Sequence, residues 1–319
     1  MEVDQAPYNN THRAFLQAFM ARSTMTLEDA KRVLAAIFTA RDEDRPTLAA
    51  DITEADVTSY ISSINVELSP LDFEIRSART QTADRTWIWA IVNTTSDPLT
   101  QVATTRSADE IAFVKRVLDA MFETHNTPRA EIMAITVTQA LQLHKAPRSN
   151  NHETQQDDTP APARSTLSMN DAQKCIENLI EEGWFEKSRK GYLSLSPRAL
   201  MELRGWLVDM YNESPDEDDT EAEATARIRV KSCEACREIV TVGQRCSNRA
   251  CRCRLHDACV RQFFRGQGGA DKKCPVCKQE WTEQTFVGER AARPASRPSG
   301  ASAASRRSMM GGDSDEDSD

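Results

Sequence analysis

Residues 233–277 read CEACREIVTVGQRCSNRACRCRLHDACVRQFFRGQGGADKKCPVC and hold eight of the chain's nine cysteines and one of its five histidines. In order they give Cys233-x2-Cys236, then Cys246 and Cys251, then His256-x2-Cys259, then Cys274-Pro275-Val276-Cys277. A Cys-x2-Cys pair on a tight turn points two thiolates at one metal. Zinc takes four such ligands, so four close pairs make two tetrahedral sites. With every position filled by protein, no place is left for a reacting water, and both ions are structural. A segment this short cannot bury a sufficient core. Metal binding therefore supplies much of its folding free energy, roughly 10 kcal/mol or more per site.

The cluster holds one cysteine too many, because Cys246, Cys251 and Cys253 compete for two places. Cys246 with Cys251 is the favoured pair. Gly243-Gln244-Arg245-Cys246 has the form of an approach to a knuckle, and Cys253 follows Cys251 too closely to be needed. A Cys251/Cys253 pair is the alternative. Disulfides are the competing use of such cysteines, but the start, MEVDQAPYNN, has neither a basic n-region nor an apolar h-region. No apolar run approaches about 18 residues, so no membrane span is expected. Zinc-spaced cysteines in such a chain point to the reducing cytosol or nucleus.

Working outward, the 319 residues have room for two or three domains. Residues 10–22 place Phe15, Leu16, Phe19 and Met20 at helical spacing behind an Asn10 or Thr11 cap. Thr26 starts a second helix with Asp29 three residues on, and Thr53 opens a third carrying Val57, Tyr60, Ile61 and Ile64. Leu71, Phe73 and Ile75 then alternate with charged residues, and Trp87, Ile88, Trp89, Ile91 and Val92 make a partner strand after a polar turn. Three helices and a hairpin are the order of a winged helix, and the order recurs. Ser107 and Glu110 box a helix with Ile111, Val114, Leu118 and Met121 inside, and a second helix is expected over about 130–143. The third begins at Ser168 or Asn170, turns Ala172, Cys175, Ile176, Leu179 and Ile180 inward, and stops at Gly183. Residues 184–187 and 192–195 pair as a second wing, and Ser196-Pro197 starts a last helix.

These segments predict an α+β chain of tandem winged-helix domains followed by a small two-zinc module. The expected boundaries are 1–105 for the first winged helix and 106–211 for the second, with a polar, Pro-rich, disordered insert at 146–165. An acidic linker at 212–229, the zinc module at 230–287 and a disordered tail at 288–319 complete the chain.

The net charge is −9, from 40 Lys and Arg against 49 Asp and Glu, which argues against a general nucleic-acid coat. Residues 212–222 and 313–319 are acidic runs. Between them Arg237, Arg245, Arg249, Arg252, Arg254, Arg261, Arg265, Lys272 and Lys273 make the zinc module basic. Such a surface serves solvation first and partner binding second. The third helix of the second winged helix is acidic (Asp171, Glu177, Glu181, Glu182) and would repel phosphate, so major-groove reading is not expected. A weak DNA contact through Lys187, Arg189 and Lys190 of the second wing is the lesser expectation. Cys175 reads as a buried core thiol, and Trp87 and Trp89 read as core. His12, His125, His144 and His152 lack ligand-spaced partners. No nucleophile–base arrangement, phosphate-cradling Gly loop or carboxylate pair stands out, so the expected catalytic residues are none. Any catalysis must come from positioning.

A ligand order of four cysteines, one histidine and three cysteines resembles a RING-type or PHD-type finger. In those families the pairs interleave. The resemblance implies that Cys233, Cys236, His256 and Cys259 share one Zn2+ and that Cys246, Cys251, Cys274 and Cys277 share the other. Two winged helices before such a finger resemble a narrower family. It is the RING-bearing non-SMC element 1 family of the structural-maintenance-of-chromosomes five/six complex, in a fungal form. The likeness is carried by Gly243-Gln244-Arg245-Cys246, Arg254-Leu255-His256-x2-Cys259, Cys274-Pro275-x-Cys277 with Trp281 four on, and the stretch from Gly191 through Ser196-Pro197-Arg198-Ala199-Leu200 to Leu203. It covers about 10–286.

That resemblance implies a nuclear protein of DNA repair and chromosome maintenance, packed against a MAGE-type subunit and joined by a kleisin-type subunit. It implies a ubiquitin ligase, dependent on the MAGE partner, that holds a charged E2 conjugating enzyme's thioester ready for transfer to a lysine. Many RING ligases carry a bulky aliphatic residue just before the second cysteine, where Ala235 stands here; a larger chain would add roughly 1–2 kcal/mol of burial. Cys246-x4-Cys251 is also wider than a usual ligand pair. By analogy with other RINGs, the E2 contact is expected to rest on Ile239, Phe263, Phe264 and Pro275, with Lys278 facing ubiquitin. The competing reading is a non-catalytic scaffold or histone-tail reader that uses the finger to assemble its partners. A PHD finger usually has an aromatic two residues before its last cysteine pair, where Lys272 stands here, and this favours RING.

Overall fold

The computed structural model describes residues 8–42, 44–82, 84–94, 106–146, 166–214, 220, 227–265 and 272–292. The expected insert and tail lie outside these residues at 147–165 and 293–319.

The first unit contains α1 (Asn10–Arg22), β1 (Thr24–Thr26), α2 (Leu27–Arg41), α3 (Glu54–Leu68), β2 (Phe73–Arg79) and β3 (Trp87–Asn93). The Thr26 and Thr53 hydroxyls accept from the backbone N–H groups of Asp29 and Asp56, each at 3.2 Å, and those carboxylates accept in return. These reciprocal bonds start α2 and α3 at the threonines. The strands pair antiparallel in the order β1-β3-β2, with Met25 opposite Trp89 and Ile75 opposite Ile91. Asn65 of α3 ties helix to sheet by donating to the Ile75 carbonyl and accepting from its N–H. Phe15, Phe19, Met25, Leu34, Ile64, Ile75 and Trp89 fill the core. Trp89 is buried as expected. Trp87 instead lies half-exposed beneath the Arg79 guanidinium, 4.3 Å from its ring centre.

The second unit repeats the order with α4 (Ala108–Asp119), β4 (Ile135–Thr136), α5 (Val137–Gln142), α6 (Met169–Glu181), β5 (Phe185–Lys187) and β6 (Tyr192–Leu195), its sheet running β4-β6-β5. Helix, short strand, two helices and a hairpin make each unit a winged helix. The helix expected over 130–143 is shorter. Residues 126–134 form a loop, β4 follows, and Thr136 caps α5. Met133, Ala134 and Ile135 are buried in succession, a pattern that an extended segment satisfies and one helix face does not. Gly183 ends α6 at φ +75°, and Cys175 is buried in the core, which pushes its thiol up to about 11. The last helix is two, α7 (Pro197–Glu202) and α8 (Arg204–Tyr211).

The zinc module consists of β7 (Gly243–Arg245), β8 (Arg254–Leu255), α9 (Asp257–Arg265) and β9 (Phe286–Val287), with strand order β8-β7-β9. Its Ile239, Val240, Leu255, Val260, Phe264, Trp281 and Val287 belong to one apolar cluster with Phe113, Leu118, Leu179, Leu193 and Leu207 of the second winged helix. The first winged helix has a separate core. In sequence the acidic segment 212–229 joins the second winged helix to the zinc module. Its ends lie side by side, Asn212 bridging Ile228 and holding Val230 through two hydrogen bonds. Residues 288–292, expected in the tail, are part of the folded module. The Arg290 guanidinium donates to Asp257 and the Gly243 carbonyl and covers Phe286.

Gly243 is where β7 passes closest to β8, and a Cβ there would meet the Leu255 carbonyl oxygen at 2.3 Å. Gly243→Ala is expected to cost about 2 kcal/mol or more by displacing β8 and the adjoining His256. Gly205→Ala meets open space and should be neutral or slightly stabilising. Urea midpoints of the two variants check this.

Candidate metal centre

The two Cys-x2-Cys turns share one geometry. The Cys233 N–H donates to the Glu238 carbonyl and the Cys274 N–H to the Gln279 carbonyl, both at 2.8 Å. Arg237 and Lys278, each just after its second cysteine, take φ of +63° and +61° and turn the chain back. Both thiols of each pair are thereby aimed to one side. The other ligands come from the ends of regular elements. Cys246 follows β7, His256 sits between β8 and α9, and Cys259 lies in the first turn of α9.

The structure gathers these side chains into two tetrads. Cys233, Cys236, His256 and Cys259 form one, and Cys246, Cys251, Cys274 and Cys277 the other; within each, the ligand atoms lie within 4.8 Å of one another. A tetrahedral zinc with Zn–S of about 2.3 Å sets neighbouring sulfurs about 3.8 Å apart. The observed Cys246–Cys277 and Cys251–Cys274 separations are 3.5 and 3.7 Å. In the first tetrad His256 Nδ1 lies 3.3 Å from the Cys236 sulfur and 3.9 Å from that of Cys259. Burial raises the Cys246 and Cys251 thiols, a cost that a bound cation would offset by holding them as thiolates. Donor type, spacing and charge fit two zinc ions in a cross-brace. Cys253 lies outside the tetrads; its backbone N–H donates to the Cys251 sulfur at 3.4 Å.

The ligands are held from behind. His256 Nε2 lies 3.2 Å from the Ile239 carbonyl, to which it donates once Nδ1 carries the metal, and this fixes the ring. Arg254, 1% exposed, donates from one terminal nitrogen to the Cys251 and Cys253 carbonyls, each at 2.8 Å. Its Nε and other terminal nitrogen meet both oxygens of Glu131, each at 2.5 Å. Glu131 comes from the loop before β4 in the second winged helix, is 3% exposed, and also receives Lys231 at 3.1 Å and Arg245 at 3.6 Å. Burial alone would raise its carboxyl. The Arg254 hydrogen bonds and charge, helped by Lys231 and Arg245, outweigh that and hold it down at about 2.

Arg245 and Arg254, read from sequence as part of a basic surface, are therefore buried and paired. Glu131 was not legible as a site residue, because a lone acid in a presumed helix carries no spacing signal.

The expected E2-contact residues divide. Phe263 and Pro275 are partly exposed and Lys278 is exposed, and Ala235 is also exposed. Ile239 and Phe264, each 3% exposed, are interior. Ile239 lies in the core shared with the second winged helix, and Phe264 packs against Trp281 at 5.7 Å between ring centres. In the second wing Lys187 and Arg189 are exposed, while Lys190 pairs with Glu289 at 2.9 Å. No helix of the described residues is long and apolar enough to cross a membrane.

Comparison with known proteins places this architecture. A family profile described as "Nse1 non-SMC component of SMC5-6 complex" matches residues 12–203, more than half of the chain. The chain belongs to the Nse1 family. A second profile, "RING-like domain", matches 233–277, the span of the two tetrads in this Nse1-family chain. The bovine (Bos taurus) "Non-structural maintenance of chromosomes element 1 homolog" is 22% identical over 275 residues, covering 86% of this chain and 85% of the relative. "Non-structural maintenance of chromosomes element 1" of Schizosaccharomyces pombe is 23% identical over 234 residues, with 73% and 81% covered. A chain of a solved "Nse1-Nse3-Nse4 complex" has the same fold at a TM-score of 0.63 and 18% identity, with 87% of this chain and 98% of that one covered.

Proposed function

We propose that this Nse1-family chain is a RING-type E3 ubiquitin ligase subunit of the SMC five/six complex, nuclear, and active in DNA repair and chromosome maintenance. The observation that carries the reading is the cross-braced pair of tetrads in a RING-like domain behind two winged helices. A RING acts by positioning, so the chemistry asks for a rigid surface and not for a catalytic side chain. The buried Arg254–Glu131 pairing and the shared core supply that rigidity. The E2 face is assigned to Phe263 and Pro275, with Lys278 toward ubiquitin. The solved relative is a chain of an Nse1-Nse3-Nse4 complex, and this supports a MAGE-type and a kleisin-type subunit as partners here.

The scaffold reading has two observations in its favour. Exposed Ala235 offers the E2 little apolar area, and the module is built into the second winged helix. Discharge of ubiquitin from a panel of charged E2 enzymes, with and without the MAGE-type partner, separates the two. Discharge that requires the partner and falls at least tenfold in Pro275→Ala, about 1.4 kcal/mol, is the expected result for a ligase. No discharge from any enzyme by the assembled complex would make the module a structural clip.

A further inference from the structure

The tip of the β2–β3 hairpin reaches the zinc module through one side chain. Gln81 Oε1 accepts from the Thr241 N–H at 2.9 Å and the Val242 N–H at 2.8 Å, and lies 3.2 Å from the Thr241 hydroxyl. Its Nε2 donates to the Ile239 carbonyl at 2.8 Å. Two N–H donors on one side and a carbonyl on the other admit a single amide orientation, so the assignment follows from chemistry. The Ile239 oxygen is also the acceptor for His256 Nε2. A carbonyl has two lone pairs, and here one serves the hairpin and one serves the zinc ligand. Beside this contact lies a cavity of about 250 Å3 bordered by Trp87, Leu200, Ile239 and His256, so the hydrogen bonds are not backed by close packing on that side.

We propose that Gln81 is a positioning residue for the first zinc tetrad. It holds the segment Ile239–Val242, which leads into β7, in the place from which the Ile239 carbonyl orients His256. Through it the first winged helix, whose apolar core is separate, becomes coupled to the first zinc site by contacts with residues 158 to 161 positions away in sequence. The chain is direct: hairpin tip, Ile239 carbonyl, His256 ring, metal. Among the described residues no hydrogen bond joins Gln81 to a residue of the second tetrad, which Arg254 holds through the Cys251 carbonyl. Docking of the first winged helix and retention of the first ion therefore act together, independently of any ligase activity.

The test uses the full chain loaded with cadmium-113, whose resonance distinguishes a three-sulfur, one-nitrogen site from a four-sulfur site. Metal loss to a chelator is then followed at each site. Gln81→Ala is expected to accelerate loss from the Cys233/Cys236/His256/Cys259 site about threefold or more, below the roughly tenfold or more that follows loss of a group bonded directly to a ligand, and to leave the other site unchanged. Gln81→Glu, which keeps the acceptor for the Thr241 and Val242 N–H groups and loses the donor to Ile239, should lie between. Thr82→Ala, a neighbour whose hydroxyl bonds that of Thr80 and, among the described residues, nothing in the zinc module, should behave as wild type. Equal acceleration at both sites, no acceleration at either, or the same effect from Thr82→Ala would overturn the proposal.

Discussion

Cys274→Ser is expected to abolish the second zinc site, leaving at most one ion per chain, and to open the zinc module around it, with damage extending into the second winged helix. Removing one of four thiolates abolishes a tetrahedral site, and such a site is worth roughly 10 kcal/mol of folding free energy. From sequence alone, residues 1–211 would be expected to stay folded when the module opens. The shared core changes that. Val240, Leu255 and Val260 lie in one cluster with Leu179, Leu193 and Leu207, and opening the module exposes the winged-helix side of the cluster. Amide exchange is the measurement. Protection should fall in α6 and β6 as well as in α9, while α1 and α3, in a separate core, keep theirs. Full protection of α6 beside an open module would mean two independent folding units.

Glu131→Gln is expected to destabilise the chain by about 3–5 kcal/mol, the cost of leaving buried charges without their counter-charge. The variant is nearly the same size, so packing is not the cause. One carboxylate serves Arg254, Arg245 and Lys231, and the imbalance is visible in Lys231. Burial first, and then the charges of Arg254 and Arg245, lower it despite Glu131.

The pairing also has a signature in pH. The Glu131 carboxyl is held at about 2, below its ordinary 4.5, so the unfolded chain binds the proton more readily than the folded one. The contribution is fully present above pH ~4.5 and is lost as pH falls from there through about 2. The gap of about 2.5 pH units corresponds to roughly 3 kcal/mol. Zinc cysteines protonate in acid too, so the informative quantity is the difference between wild type and Glu131→Gln. That difference should be constant from pH 5 to 8 and shrink below pH 4.5. A gap that does not narrow in acid would show that the carboxylate charge is not what matters.

The sequence by itself determined the local choices. Ser and Thr with an acid three residues on set where α2, α3 and α4 begin, because the capping box uses only neighbouring atoms. Gly183 ended α6 for an equally local reason. The cysteine spacing showed four ligand pairs, because a knuckle is a short turn.

What lay beyond a few residues of contact was not legible. β1 is three residues with one inward side chain, Met25, and exists because β3 supplies its hydrogen bonds. The loop at 126–134 carries apolar residues in succession, which a helix and an extended segment share until their neighbours are known. Spacing alone left open which pairs share a metal, whereas the favoured pairing of Cys246 with Cys251, and not Cys253, is the one in the tetrads. Burial of Arg245, Arg254 and Ile239 was decided only by tertiary structure. A charge run on paper looks solvated, and only the approach of Glu131, more than a hundred residues away, turns two of those charges inward. Hydrogen bonds between near neighbours are encoded in short strings; the pairing of a charge or a carbonyl with a distant element depends on the packing that brings them together.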